Sequence, residues 1–292
     1  MPRRSRLALS LALIVYALPA FAEAELVGVY TWQEDSSDFG GLSAIDLDAT
    51  GTAFHAIGDR GLLITGSLVR HAGQIRRVTI DHSGPLRGTE PTGDGRNMTD
   101  AEGLAWPGQG PFFVSFESAH RVALYRSAKA APERLPPPLI VRRGHRNRGL
   151  EALAADAGGR LFALPEQGGG RDEPHPVLTY NAGGWRIFAS IPRIGRFSPV
   201  GADIGPDGRL YVLERWFRGL LGFQTRIRRF DIGNDSLSGG ETVLETPARR
   251  HQNLEGLAVW RDTEGRTRLT MISDDNFAFF LKTEIVEYRL TD

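Results

Sequence analysis

The chain has 292 residues, no cysteine, and 35 basic residues balanced by 35 acidic ones. That excludes disulfides, thiolate metal sites and a cysteine nucleophile. It also excludes the overall basic field by which nucleic-acid-binding proteins gather their partner.

The first element is a leader. Arg3, Arg4 and Arg6 precede the apolar run Leu7 to Leu18 and the small residues Ala20-Phe21-Ala22, the layout of a signal peptide over residues 1–22. The run is too short to cross a bilayer comfortably, so cleavage predicts a periplasmic or secreted protein with no membrane span, formed by one domain over 25–292. Loss of the three arginines leaves 32 basic residues and a net charge of −3.

The mature chain opens on an alternating strand, Leu26 to Trp32, and then repeats itself. The clearest copy is Asn253-Leu254-Glu255-Gly256-Leu257-Ala258-Val259-Trp260. Its relatives are Phe39 to Ile45, Thr99 to Trp106, Arg148 to Ala154 and Pro199 to Ile204. Spacings of roughly 50 to 60 residues are those of a propeller blade or a similar unit. Each copy runs into a turn such as Asp156-Ala157-Gly158-Gly159 or Pro206-Asp207-Gly208, then into a second apolar run ending in an acid, so each pair reads as a β-hairpin.

Further runs complete four strands per repeat. They include Gln74 to Ile80, Val122 to Arg126, Leu139 to Val141, Trp185 to Ala189 and Thr225 to Asp231. The expected fold is an all-β propeller. Counting repeats favours five blades, while about 45 residues per blade makes six possible. The last repeat has room for only three strands, so the N-terminal strand is expected to supply its fourth and close the ring, leaving no open edge.

Folding each hairpin about its turn sets Glu102 opposite Glu117, Glu151 opposite Glu166, and Glu255 opposite Asp274. Like charges facing across a strand pair are destabilising unless compensated, so three such pairs call for a cation, an arginine or a shared proton. The bland alternative is that these acids cap strand ends. In a propeller they would form a rim at one mouth with Asp59, Glu214 and Asp275. Oxygen ligands without cysteine suit a hard divalent cation, Ca²⁺ over Zn²⁺. Arg60, Arg148 and Arg215 stand beside the acids, where they either neutralise them or hold a small anionic substrate. No Gly-x-Ser-x-Gly elbow, Walker loop or dinucleotide fingerprint is present.

Taken together, Gly58-Asp59-Arg60-Gly61, Glu102-Gly103-Leu104, Glu151-Ala152-Leu153, Leu213-Glu214-Arg215, Asn253 to Leu257 and Ser273 to Phe277 resemble the phytase-like, "esterase-like activity of phytase", family of exported bacterial proteins. The resemblance implies a propeller phosphoesterase with a hard metal. Glu102, Glu151, Glu255 and Asp274 are then expected as catalytic groups, and Asp59, Glu117, Glu166, Glu214 and Asp275 as metal ligands, with Arg60, Arg148 and Arg215 on the anion. Two alternatives stay open: a non-catalytic propeller that binds a ligand or partner and carries structural Ca²⁺, and a lactonase-like hydrolase. Repeats one and four depart from the pattern, with Gly40 in place of a glutamate and Asp203 displaced.

Overall fold

The computed structural model describes residues 24–89, 99–107, 110–117, 121–138, 149–167 and 172–291. Five four-stranded antiparallel sheets stand around one axis, so the protein is a five-bladed propeller. Strand β1 (Ala24–Thr31) is the outer strand of the last blade. Blade one is β2 (Leu42–Leu47), β3 (Ala53–Gly58), β4 (Leu62–His71) and β5 (Gln74–Pro85). Blade two is β6 (Ala101–Ala105), β7 (Phe112–Phe116), β8 (Arg121–Tyr125) and β9 (Glu133–Arg134). Blade three is β10 (Leu150–Ala155), β11 (Leu161–Pro165), β12 (His175–Asn181) and β13 (Gly184–Ile191). Blade four is β14 (Ser198–Ile204), β15 (Leu210–Phe217), β16 (Phe223–Ile232) and β17 (Leu237–Glu245). Blade five is β18 (Asn253–Arg261), β19 (Thr267–Asp274), β20 (Glu284–Leu290) and the returning β1.

The expected closure is therefore present: β1 pairs with β20 from Ala24↔Leu290 to Thr31↔Glu284. The edge it covers would otherwise offer unpaired backbone groups to another chain. The outer strand of blade two falls at Glu133–Arg134, and the run expected for it, 139–141, lies outside the described residues, as do the leader and Arg148.

The inner strands β2, β6, β10, β14 and β18 touch in turn, and β18 returns to β2. Strands such as Leu42–Leu47 and Leu161–Pro165 are buried at every residue, so the blades pack on both faces and the core is divided among the blade interfaces. Trp32, Phe54 and Trp260 join blades five and one, and Phe112, Phe116 and Leu63 join one and two. Phe162, Phe188 and Phe230 join three and four. A fully buried aliphatic or aromatic side chain contributes about 1.5–3 kcal/mol, and each interface holds several.

Candidate functional site

Every inner strand loses register with its neighbour at the same place. The break lies between Leu42 and Ala44, Ala101 and Leu104, Leu150 and Ala152, Pro199 and Gly201, and Leu254 and Gly256. A bulge inserts an unpaired residue and re-aims its side chain. The residues in the breaks are Ser43, Glu102 with Gly103, Glu151, Val200 and Glu255. Three blades of five thus carry a glutamate there; in repeat one the place is held by Ser43 and not by Gly40, and in repeat four by Val200.

In blades two, four and five the residue that follows is a glycine, needed because the inner strands approach so closely there; Ala44 and Ala152 hold the place in blades one and three. A Cβ on Gly103 would stand 2.6 Å from the Glu151 carbonyl oxygen, one on Gly201 2.3 Å from that of Glu255, and one on Gly256 2.6 Å from the Ile45 nitrogen. Glu-Gly-Leu therefore reads, in structural terms, as bulge, close approach and core.

The bulges also correct the expected pairing. The acids at the second-strand ends face the residue two before each glutamate, not the glutamate itself. Asp59 N–H donates to the Gly41 carbonyl and Glu117 N–H to the Asp100 carbonyl, each at 2.9 Å, and Asn253 pairs with Asp274. Counted by register, the second ring is Asp59, Glu117, Glu166, Arg215 and Asp274, because Arg215 pairs with Ser198 in blade four. Arg215 holds the place that is acidic in every other blade.

Arg215 is consequently an internal counter-ion rather than the anion ligand expected from sequence. Its Nη1 donates to Asn253 Oδ1 at 2.9 Å and to Glu255 Oε1, and its Nη2 donates to Glu166 Oε1 at 3.0 Å. Asn253 Nδ2 also donates to Glu255 Oε1, at 3.0 Å.

Glu214, expected as a metal ligand, points the other way along the strand. Its side chain is 1% exposed, and its oxygens accept from Arg226 Nε at 2.7 Å, Arg228 Nε at 2.8 Å and Arg228 Nη2 at 2.5 Å. Two buried guanidinium groups already neutralise this carboxylate. Asp275 is likewise structural: Oδ1 accepts from the Gly41 and Phe277 amides at 2.9 and 3.0 Å, and Oδ2 from Thr283 Oγ1 at 2.9 Å. The Arg60 guanidinium lies 3.4 Å from the centre of the Phe277 ring, where its charge also acts on Asp59.

The remaining acids converge. Burial, together with Glu151, Glu255, Asp100 and Glu117, pushes the Glu102 carboxyl up to about 11. Burial and the neighbouring Glu166, Glu117 and Glu255 raise Glu151 well above the usual range, with Arg215 opposing. Glu255 is pushed up to about 7 by burial, again against Arg215. Asp59 is pushed up to about 6 by burial and by Asp274. Burial is the first cause for Glu117 and Asp274 too, both raised, and amides of Gly149 and Asn276 resist it.

Asp59, Asp100, Glu102, Glu117, Glu151, Glu166, Glu255 and Asp274 thus put eight carboxyl groups at one mouth. Arg215 is the cation that bonds them among the described residues. On the side away from Arg215, Asp100, Glu102 and Glu117 each bring a carboxylate oxygen within 4.8 Å of the other two. Room for Glu117 is made by Gly149, whose Cβ would stand 2.2 Å from Glu117 Cγ. Three half-buried oxygen donors of this kind fit a hard divalent cation and fit Zn²⁺ poorly. Asp100 was missing from the expected set, although it stands inside the quoted repeat.

A family model described as phytase-like, "Esterase-like activity of phytase", matches residues 37–277. The chain belongs to the phytase-like family. No curated protein matches it. Among solved structures, this phytase-like chain is similar to the PQQ-bound aldose sugar dehydrogenase of Streptomyces coelicolor, with 14% identity, a TM-score of 0.49, and 92% of this chain and 98% of that one covered. It is also similar to U3-55K, with 10% identity, a TM-score of 0.48, and 91% and 99% covered.

The opposite mouth of the phytase-like propeller opens into a cavity of about 640 Å³. Of its acids, Asp48 and Asp156 bond within their own turns, while Asp46 and Asp203 are latches between inner strands. Asp46 Oδ2 accepts from the Trp106 amide and Asp203 Oδ2 from the Val259 amide, both at 2.6 Å. Asp203 is thus not a displaced member of the acidic rim. It is the counterpart, in blade four, of Asp46 in blade one. Burial raises both carboxyls, Asp203 to about 7. This cavity therefore lies where the acids are already committed, and the candidate site is the mouth where they are not.

Proposed function

We propose that this phytase-like protein is an exported hydrolase of small phosphoesters that works with a hard divalent cation, Ca²⁺ favoured. The observation that carries the reading is the imbalance at the mouth among the described residues: eight carboxyl groups against one bonded guanidinium, that of Arg215, which lies on Glu166 and Glu255 and not on the grouped oxygens of Asp100, Glu102 and Glu117. Asp100, Glu102 and Glu117 would hold the cation. When bound, the cation supplies charge neutralisation and polarisation of a phosphoryl oxygen.

The chain's own residues supply the rest. Glu255, fixed by Arg215 and Asn253, accepts the proton of the attacking water as the new P–O bond forms. Glu151, beside it on the axis, donates a proton to the departing alkoxide. Asp274 and Asp59 flank Glu255, and Glu166 holds Arg215 in place. Arg60, at the edge, and Arg148 are assigned to the substrate's remaining phosphate charge. The leader-like layout of residues 1–22 supports an activity outside the cytoplasm.

The test is metal analysis of the purified exported protein with a phosphomonoester and diester panel, with and without chelator. Glu102→Gln and Glu117→Gln are expected to lose the bound cation and turnover together. Glu255→Gln is expected to keep the cation and lose at least about a hundredfold in kcat, the lower range for a proton-transfer group. A protein that Ca²⁺ stabilises thermally, yet that turns over no ester or lactone, would be the binding propeller instead.

A further inference from the structure

The face that bears the acidic mouth also carries two loops whose apolar side chains point away from the protein. In blade four, the β15–β16 connection exposes Phe217 at 61%, Leu220 at 92% and Leu221 at 52%. In blade five, the β19–β20 connection exposes Phe279 at 99% and Phe280 at 69%. The two loops line one groove of about 690 Å³. Isolated apolar residues on a surface are ordinary, but five large ones on two adjacent loop tips are not.

Both loops are firmly built. The blade-four loop is a 3₁₀ turn, Gly219–Leu221, closed by Arg218 N–H to the Gly222 carbonyl at 2.8 Å and pinned by Arg249 on the Leu220 carbonyl. The blade-five loop holds Asn276 and Phe277 at φ values of 49° and 50°, a conformation that costs non-glycine residues of order 1–3 kcal/mol each. Asp274 and Asp275 enforce it by accepting from the amides of Asn276 and Phe277 at 2.6 and 3.0 Å. Strain is therefore held in place in a turn that leads straight to an exposed phenylalanine pair.

Charge identifies the occupant. Arg218 is inside the first loop, Lys282 directly follows the second, Arg249 lines the groove and Arg250 follows it in sequence; all four residues are exposed. Apolar tips surrounded by cations match the layering of a bilayer interface, acyl chains below and anionic headgroups at the rim.

We propose that these two loops dock the protein on bilayers containing anionic lipid, with Phe279, Phe280, Leu220 and Leu221 entering the acyl boundary and Arg218, Arg249, Arg250 and Lys282 meeting the headgroups. This docking is independent of the phosphoesterase reading.

The experiment is co-sedimentation of the full mature protein with vesicles of phosphatidylcholine alone and of phosphatidylcholine with phosphatidylglycerol. The anionic vesicles are expected to bind it at least roughly tenfold better, with the gain lost in high salt. Phe279→Ser with Phe280→Ser, and separately Arg218→Glu with Lys282→Glu, are expected to lower partitioning at least about tenfold with an unchanged melting temperature. Both pairs are exposed and outside the blade cores. Failure of the wild-type protein to sediment with either vesicle would overturn the proposal, as would equal binding by the variants. So would self-association that the Phe279 and Phe280 changes abolish while vesicle binding is absent, which would make the patch a protein interface.

Discussion

Glu214 and Arg215 are neighbours in sequence and opposites in role, because successive residues of a strand face opposite sides. Glu214 joins a buried cluster with Arg226 and Arg228, all three side chains at most 3% exposed. Removing one member of such a group leaves charge buried without a partner, so Glu214→Ala should cost about 3–5 kcal/mol in urea unfolding. The mouth acids should behave in the contrary sense. Glu117→Gln removes one like charge from Asp100 and Glu102, so without cation it should unfold at no lower temperature than the parent. The difference between Glu214 and Glu166 was legible in the sequence by counting rather than by residue type. Five residues on from Leu161 is Glu166, and five on from Leu210 is Arg215. Following the acid instead of the count moved the assignment by one position, which in a strand is the other face.

The bulge is the element that turns a repeat into a site. It was not legible, since strands buried on both faces carry no alternation in which an extra residue would show as a break in phase; the expected pairing of Glu102 with Glu117 followed from assuming none. The glycine after it was visible as a recurrent letter, though its cause, close approach of inner strands, needed the ring. Gly256 tests that cause. An added Cβ would meet the Ile45 nitrogen at 2.6 Å, Ile272 Cγ2 at 2.7 Å and Ala44 Cα at 2.8 Å, two of them backbone atoms that cannot turn aside. Gly256→Ala should therefore destabilise by about 1–3 kcal/mol or more. At Gly28 the nearest atom is 3.7 Å away, on the flexible Gln74 side chain, and Gly28→Ala should stay within about 0.5 kcal/mol of the parent. Equal effects at the two sites would mean that the inner strands do not pack as tightly as described.

At the scale of the whole molecule, closure brings acids from four blades to one mouth, and the arrangement should be visible in how stability depends on pH. Blade number, closure by the N-terminal strand and the gathering of acids were legible because repeats and alternation survive in the sequence; the split into a set bonded by Arg215 and a set free of it was not, since it depends on side-chain reach across blades. For a carboxyl whose folded pKa is raised, the native state binds more protons between the unfolded and folded values, so stability falls as pH rises through that window. Glu255 at about 7 and Glu102 at about 11 make the cation-free protein less stable at about pH 8 than at about pH 6.5. His55, His175 and His251, each pushed down to about 4 by burial, act in the opposite sense below about 6.5, where the unfolded chain gains protons first. The melting temperature without cation should accordingly rise on acidification to about pH 6.5 and rise less steeply below it, where the three histidines offset part of the gain from the more numerous raised carboxyls. Saturating Ca²⁺ holds the mouth acids as anions, so it should raise the melting temperature most at about pH 8 and shrink the slope above about pH 6.5. The part of the slope it leaves belongs to Asp46 and Asp203, whose carboxyls are committed to the Trp106 and Val259 amides at the far mouth. A slope that Ca²⁺ leaves unchanged would show that the mouth acids are neutralised by protons and by Arg215 alone, and the cation site would have to be given up.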